Sequence, residues 1–199
     1  MKIEPVTLEG EHIRLEPLSL GHHEGLSAVG LDETIWRWNP YPVRAAEGMR
    51  AYIEEALEWQ ARGTALPFAT ILKSTGQSVG STRYANVDAA NRHLEIGWTW
   101  IAQPWQRTPV NTEAKYLMLR HAFEALGCLR VELKTDALNE QSRNAILRLG
   151  AQQEGVFRKH IITSSGRIRD SVFFSIIDTE WPEVKAGLEE KLARPYPPR

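Results

Sequence analysis

The chain has almost none of the residues from which cross-links, metal sites and membrane spans are built. Cys128 is the single cysteine among 199 residues, which excludes an internal disulfide framework and a cysteine-based zinc site. No apolar run reaches the ~18 residues of a membrane span, and the opening residues MKIEPVTLEGEH contain no apolar signal-peptide core. We therefore expect a cytoplasmic protein with no metal ligand and no membrane partner.

Charge of one sign is not in excess either. The 24 Lys and Arg residues nearly balance the 25 Asp and Glu residues, giving a formal net charge of -1. Because nucleic-acid binders usually carry a basic excess, no nucleic acid is expected as a partner. Hydrophobic residues make up 42% of the chain, enough for a packed core, and the length fits one domain. We predict a single domain over 1–199, with its core at about 8–192 and a flexible tail at 194–199.

Hydrophobic periodicity predicts an α+β or α/β fold, in which one sheet carries helices on its faces. The predicted strands are His12–Leu15 at the sheet edge, Phe68–Lys73, Ser78–Asn86, Arg92–Ile101, Leu129–Thr135, Val156–Thr163 and Ser171–Asp178. The predicted helices are Leu20–Val29, Ala46–Arg62, Asn111–Leu126, Asn139–Leu149 and Glu180–Leu192, the last one capped by Asp178 or Thr179. Asp32–Pro42 is predicted to be a loop, and the unit from Arg92 to Thr135 a right-handed parallel crossover.

The stretch from Trp98 to Leu126 is the most informative part of the chain. The strand before it alternates, which predicts Leu94, Ile96, Trp98 and Trp100 on one face of the sheet and Glu95 on the other. A short polar turn and the start of a helix follow. Such a helix start has unpaired N–H groups at the positive end of the helix dipole and binds anions, phosphates above all.

Four blocks in this order resemble the GNAT N-acetyltransferase superfamily, within it the RimJ/RimL-like branch. They are LEGEHIRLEPL (8–18), LEIGWTWIAQPWQRTPVNTEA (94–114), HAFEALGCLRVELKTDALNEQSRNAILRLGAQQEGVFRKH (121–160) and RDSVFFSIIDTEW (169–181). The resemblance implies a GNAT fold, with a mixed, mostly antiparallel sheet of about seven strands and helices on both faces. It also implies an acyltransferase that uses acetyl-CoA as co-substrate and an amine as acceptor, with a homodimer as one option for assembly.

The loop before the central helix departs from the family pattern. The family usually has Gln/Arg-x-x-Gly-x-Gly/Ala there, whereas PWQRTP (104–109) places Arg107 and Pro109 at the glycine positions. Pro109 has no N–H to donate, but Arg107 adds a cation that can bind phosphate. The resemblance implies that backbone groups of Trp100, Ile101 and Ala102 contact the pantetheine, and that N–H groups of Gln106, Arg107, Thr108, Val110, Asn111 and Thr112 contact the phosphates.

The resemblance also implies the catalytic residues. Glu95 is the candidate general base, with His93 and Asp136 in reserve; the alternative for Glu95 is a strand carboxylate paired with a Lys or Arg. Asn139 and Ser142 match the family's Asn-x-x-Ser pattern. Asn139 is expected to bind the pantetheine or to cap the helix, and Ser142 to donate a hydrogen bond to the leaving thiolate, unless it is an ordinary first-turn serine.

The acceptor site is the least determined by the sequence. Candidate substrate contacts are Trp36, Trp38, Asn39 and Tyr41 in the early loop and Asp170 on a late strand. The two tryptophans could instead fill the core, and Asp170 could pair with Arg167 or Arg169. A protein N-terminal α-amine is the preferred acceptor, and a small-molecule amine is the runner-up. The altered loop keeps open a non-catalytic acyl-CoA-binding regulatory module, and a structural or partner-binding domain is a further alternative.

Overall fold

A computed structural model describes residues 1–195, and the last four positions of the predicted flexible tail lie outside them. Its centre is an eight-stranded sheet with the order β1-β2-β3-β4-β5-β6-β8-β7, in which only β5 and β6 are parallel neighbours. The mixed, mostly antiparallel sheet is confirmed. The strands are β1 Leu8–Glu9, β2 Ile13–Pro17, β3 Leu66–Leu72, β4 Ser78–Asp88, β5 His93–Ile101, β6 Arg130–Asp136, β7 Gln152–Ile162 and β8 Ile168–Ile177.

Strand β1 is the one that the sequence analysis missed. Its two residues pair with β2, Leu8 opposite Leu15. The prediction that the strand beginning near His12 forms the sheet edge is therefore wrong. Two residues are too few for the alternation of apolar and polar side chains to mark a strand.

Within residues 1–195, six α-helices surround the sheet: α1 His23–Gly30, α2 Glu33–Trp36, α3 Ala46–Ala61, α4 Pro109–Arg120, α5 Glu140–Leu149 and α6 Trp181–Ala193. A π-helical turn, His121–Ala125, continues α4. The helix α2 lies inside the predicted loop, and α6 is preceded by Glu180 with no side-chain cap, so the predicted cap by Asp178 or Thr179 is wrong. None of the helices in residues 1–195 has the length and apolar character needed to cross a membrane.

The two faces of the sheet carry separate hydrophobic cores. Along β3, Leu66 and Phe68 pack into the core that contains α4, α5 and α6, whereas Ala69 and Ile71 pack into the core that contains α1, α2 and α3. Alternate residues of a strand point to opposite faces. Helices therefore cover both faces, as predicted.

A bulge in β5 changes which face its tryptophans occupy. Leu94 and Ile96 belong to the α4–α6 core, but Trp98 and Trp100 pack with the α1–α3 core. The pairing of β4 with β5 is irregular next to Trp98, whose φ of 49° is left-handed. The prediction that the two tryptophans share a face with Leu94 is therefore wrong, because a bulge interrupts the two-residue period.

Strands β5 and β6 pair over a short stretch only. His93, Leu94 and Glu95 lie opposite Arg130, Val131 and Glu132, and no further pair follows. Beyond Glu95, β5 stays paired with β4 as far as Ile101, and β6 stays paired with β8 as far as Asp136. The two strands therefore diverge. We call the opening between residues 97–101 of β5 and 133–136 of β6 the groove.

A buried carboxylate fixes the β1–β2 turn to α4. Glu113 accepts hydrogen bonds from the backbone N–H groups of Glu11, His12 and Ile13 at 2.7, 2.9 and 2.8 Å. A Cβ atom at Gly10 would lie 2.6 Å from Glu113 Oε1. The turn can pass this close to the carboxylate because residue 10 is glycine.

We expect Gly10→Ala to lower the free energy of unfolding by about 1–3 kcal/mol, since three hydrogen bonds prevent the Glu113 carboxylate from moving aside. The control is Gly155→Ala in β7, where an added Cβ meets no atom within 4 Å and the change should stay within about 0.5 kcal/mol. Urea unfolding measures both. Equal stability of the two variants would contradict this account of the turn.

Candidate active site

Glu95 lies at the point where β5 and β6 separate. Its side chain is buried, and Oε2 accepts hydrogen bonds from Lys134 Nζ at 2.8 Å and Asn86 Nδ2 at 2.7 Å. Among residues 1–195, nothing donates a hydrogen bond to its second oxygen, Oε1. A Cβ at Gly97 would approach Oε1 to 2.6 Å. Glu95 therefore has a lysine partner, as the alternative interpretation expected, but one oxygen stays able to accept a proton.

Two residues in the left-handed conformation shape this corner. Asn86 in β4 and Trp98 in β5 have φ values of 48° and 49°, which are uncommon for residues other than glycine. Both lie at irregular positions of the β4–β5 pairing. The first supplies the amide that binds Glu95, and the ring of the second lies 5.6 Å from Lys134 Nζ. Backbone strain thus accompanies the positioning of the charged pair.

The two reserve bases are placed less favourably. His93 lies within the paired part of β5, before the strands separate, and its Nε2 is 3.5 Å from Asp88 Oδ2. Asp136 lies at the end of β6 but is buried and ion-paired to Arg167, with Arg169 Nε 3.8 Å from Oδ2. Among the three candidates, Glu95 has the position that suits a general base.

Lys115 is a residue of this region that the sequence analysis did not single out. It extends from α4 toward the sheet, is 5% exposed, and its Nζ donates to Thr99 Oγ1 and, at 3.3 Å, to Thr82 Oγ1. Burial lowers the pKa of this amine from its usual 10.5 to about 7, although the negative charge of Glu95 opposes that shift. Thr99 is exposed in the stretch of β5 that borders the groove.

The loop before α4 adopts a backbone conformation typical of glycine, although it contains no glycine. Arg107 is exposed and has a φ of 60°, the left-handed conformation that a glycine would adopt at no steric cost. Thr108 is the N-cap of α4, and its Oγ1 accepts from Val110 N at 3.4 Å. Pro109 occupies the first helical position, where its missing N–H breaks no helical hydrogen bond. The first turn therefore keeps the Asn111 N–H, which has no helical acceptor, for an anion.

The backbone at the end of β5 is partly occupied by contacts within the protein. The N–H of Ala102 donates to Val79 O at 2.9 Å, and the carbonyl of Ile101 accepts from Gln106 Nε2 at 3.0 Å. The Trp100 side chain is buried in the α1–α3 core. Thr112 is buried in the first turns of α4. The residues predicted to contact the pantetheine thus lie beside the groove, but some of their backbone groups already form hydrogen bonds within the protein.

The Asn-x-x-Ser pattern begins α5 on the far side of the groove. Asn139 is the N-cap, and its Oδ1 accepts from Ser142 N at 3.1 Å. The predicted cap is confirmed. The Ser142 hydroxyl is partly exposed and has no hydrogen-bond partner in the part of the chain that the structure describes. It is therefore able to donate to a ligand.

The aromatic candidates of the early loop divide into two kinds. Trp36 is 2% exposed, its Nε1 donates to Gly30 O at 2.7 Å, and its ring contacts Trp100, so it belongs to the core as the alternative expected. Trp38 is half-buried between two guanidinium groups, with its ring 5.0 Å from Arg37 Cζ and 5.7 Å from Arg167 Cζ. The loop therefore packs Trp36 into the α1–α3 core and holds Trp38 beside Arg167.

The remaining substrate candidates are dispersed. Asn39 lines a surface pocket of about 400 Å³ between the early loop and the β7–β8 turn, and Tyr41 projects into solvent with 65% of its surface exposed. Asp170 pairs with no arginine of residues 1–195; its Oδ1 accepts from the backbone N–H of Lys159 at 2.6 Å. These residues do not form one cluster with Glu95.

Several residues around Glu95 could not be found from local sequence patterns. Asn86, Arg83 and Lys134 lie on neighbouring strands and reach the site through strand pairing. The one available signal was Lys134, because the alternation of LRVELKT places a lysine on the polar face of its strand. Within residues 1–195, no group of three His, Cys, Asp or Glu side chains could hold a metal ion.

Comparison with known proteins identifies the family. Residues 12–152 match the family model described as an acetyltransferase (GNAT) domain. "Putative ribosomal N-acetyltransferase YdaF" of Bacillus subtilis is 33% identical over 106 residues, which are 53% of this chain and 57% of that protein. A GCN5-related N-acetyltransferase from Brucella melitensis is 32% identical with a TM-score of 0.90, covering 97% of this chain and 88% of that one. The fold is also that of Mycobacterium smegmatis RimJ in complex with CoA-disulfide: 22% identity, TM-score 0.82, and coverage of 94% and 95%.

Burial of Lys115 makes the stability of the protein depend on pH. Because the pKa of Lys115 is lowered to about 7 on folding, the unfolded chain binds the extra proton between about pH 7 and pH 10. In that window this residue makes stability rise with pH, whereas below it the burial cost is constant. We expect the stability of Lys115→Met relative to wild type to be greatest at pH 7 and below. The difference in the free energy of unfolding should shrink by at least about 1 kcal/mol toward pH 10. Urea unfolding measures this, and a stability difference between the two proteins that stays constant from pH 7 to pH 10 would contradict it.

Proposed function

Because the chain belongs to the GNAT acetyltransferase family, we propose that it acetylates protein N-terminal α-amines by direct attack within a ternary complex. The observation that carries the proposal is the groove, which has the Glu95 carboxylate at its closed end and the start of α4 beside it. A donor in the groove and an amine at Glu95 would meet where the strands separate. Family membership alone specifies neither the acceptor class nor the role of each residue.

Acetyl-CoA is the acetyl donor of this family; when bound, it would supply an acetyl group as a thioester, and CoA would leave as the thiolate once the acetyl group passes to the amine. The residues present fit such a group in two ways. The unpaired edges of β5 and β6 carry backbone groups that an extended pantetheine could join, as an added strand does. The left-handed Arg107, the Thr108 cap and the first-turn N–H groups form a phosphate site at α4 in which one amide is lost at Pro109 and one cation is added.

Glu95 serves in this proposal as the general base. A protonated amine cannot attack, and deprotonating a lysine-type amine at pH 7.4 costs about 4 kcal/mol, against less than about 1 kcal/mol for an α-amine. Lys134 Nζ donates a hydrogen bond to Oε2 of this carboxylate, and Oε1 is left to accept the proton of the amine. The smaller cost of deprotonation favours an α-amine over a lysine side chain as the acceptor.

Ser142 is placed to receive the leaving group. Its hydroxyl points from the first turn of α5, where the N-terminal end of the helix favours negative charge. A thiol has a pKa near 8.5, so the thiolate needs a hydrogen bond more than a full proton transfer. We assign Ser142 the donor role and Asn139 the role of holding the helix start.

Two other functions are distinguished from this one by experiment. A small-molecule amine would use the same groove and base, with a different acceptor surface. A non-catalytic acyl-CoA-binding module is suggested by Arg107 and Pro109 in place of loop glycines. It would bind the cofactor without releasing thiol in the presence of any amine.

We expect Glu95→Gln to lower the rate of acetyl transfer to the best peptide amine by about 100-fold, because general-base catalysis typically contributes 10²–10⁴. The matched control is Glu132→Gln, on the residue of β6 directly opposite Glu95, which pairs with Arg130 instead. Thiol release from acetyl-CoA measures both across about pH 6–9.

The control should stay within about threefold of wild type. If Glu95→Gln also stays within about threefold over the whole pH range, Glu95 is not the base.

The phosphate loop gives a second prediction. Acetyl-CoA at about 100 times its dissociation constant should raise the free energy of unfolding of the wild type by about 2.7 kcal/mol. At the same concentration Arg107→Gly should gain roughly 1 kcal/mol less, because a cation is lost. The unliganded variant should not lose stability, because glycine adopts the φ of 60° freely.

Thermal unfolding with and without acetyl-CoA measures both effects, and Arg107→Lys, which keeps the charge, is the control. An unchanged ligand effect in Arg107→Gly would exclude Arg107 from the phosphate site. Absence of any stabilisation in the wild type would exclude cofactor binding itself.

A further inference from the structure

Arg83 in β4 is a buried cation without a counter-ion. It is 0% exposed, and none of its three guanidinium nitrogens has a hydrogen-bond partner within residues 1–195. A guanidinium carries five N–H donors and remains charged at every accessible pH. An unpaired charge in the interior is costly, so this arrangement calls for a partner that the protein itself does not provide.

Three aromatic rings surround the guanidinium. Its Cζ lies 4.7 Å from the ring centre of Tyr52, 5.2 Å from that of Trp59 and 5.3 Å from that of Trp98. Ring faces attract a cation and offset part of the desolvation cost. They accept none of the five N–H hydrogens in the way that a carboxylate does, with two parallel hydrogen bonds.

Arg83 lies on the Glu95 side of the sheet. It is paired with Gly97, two residues along β4 from Ala85, which is paired with Glu95. Such diagonal neighbours are about 7 Å apart. The ring of Trp98 connects the two groups, since it contacts the Arg83 guanidinium and lies 5.6 Å from Lys134 Nζ. Helix α4 packs on the opposite face and α1–α3 cover this one, so an amine that meets Glu95 here would lie on the same side of the sheet as Arg83.

The charges on this face are unbalanced. The Lys134 ammonium is compensated by Glu95, at 2.8 Å. The charge of Arg83 is compensated by no carboxylate within ion-pair distance in the described part of the chain. A ligand that completes the site must therefore bring negative charge.

The cover over Arg83 is made of two side chains that are only partly buried. Trp59 from α3 and Trp98 from β5 meet edge to face, with ring centres 5.1 Å apart. Tyr52 forms the buried wall behind them. The two partly exposed indoles are therefore the side of this enclosure nearest to solvent.

We propose that Arg83 binds a carboxylate of the amine acceptor, and that the Trp59–Trp98 pair is the cover which opens to admit it. This proposal rests on the proposed acetyl transfer and narrows the acceptor to amines that carry a carboxylate a few bonds from the nitrogen. Two sources share that chemistry: the α-carboxylate of a free amino acid, and an acidic side chain at the start of a peptide. Neutral amines of the same size would bind without this interaction.

The test compares matched acceptors in the wild type and in Arg83→Met. One arm pairs free amino acids with their amides, and the other pairs peptides that begin with Glu with peptides that begin with Gln. We expect the wild type to prefer the acid of one pair by about tenfold or more in kcat/KM, through KM, as the gain from a charged bidentate contact. Arg83→Met should remove that preference, so that the kcat/KM values of the acid and of its neutral partner become equal within about threefold.

The arm that shows the preference identifies the source of the carboxylate. No preference in either arm in the wild type, or an unchanged preference in Arg83→Met, would overturn the proposal. Arg83→Lys tests geometry, because a lysine keeps the charge but not the fork, and should retain only part of the preference. The wild-type comparison stands even if neither variant folds.

Binding without turnover separates this proposal from the proposed function. Adding the preferred carboxylate acceptor without acetyl-CoA should change the tryptophan fluorescence of the wild type, and its amide should not at the same concentration. A fluorescence response without any thiol release would keep the anion site and reject the acetyl-transfer function. Thiol release with equal rates for acid and amide would support the acetyl-transfer function and reject the anion site.

Discussion

The site depends on the fact that the parallel pairing of β5 and β6 ends after three residues. Each strand keeps its other neighbour, β4 or β8, so the sheet remains whole while two inner edges lose their partner. Backbone N–H and C=O groups on such edges need other hydrogen-bond partners. An extended ligand would meet that need, and this is the physical reason for proposing the groove as a binding site.

One irregular stretch of β5 organises the chemistry at the closed end of the groove. Gly97 leaves room for the Glu95 carboxylate, and the left-handed Trp98 turns its ring to the same face. That ring then contacts both Lys134, which binds Glu95, and Arg83, which has no carboxylate partner in the described residues 1–195. A regular strand would have directed Trp98 to the opposite face and left these charged groups without their common neighbour.

What the sequence could predict was decided by how local each feature is. The helix start that follows PWQRTP and the Asn139 cap depend on a few adjacent residues. The core role of Trp36 could not be decided, because its partners Tyr52 and Trp100 are distant in sequence. The face of Trp98 was predicted wrongly because no local pattern announces the bulge. The contacts of Glu95 with Asn86 and Lys134 depend on strand register, which one sequence does not show.

The most direct test of this account is a crystal structure of the protein with bound CoA. The account predicts that the pantetheine lies between β5 and β6, hydrogen-bonded to the edge that runs from Gly97 to Ile101, with the pyrophosphate at the first turn of α4 near Arg107. A structure in which CoA binds elsewhere, while protein side chains close the space between the two strands, would contradict it.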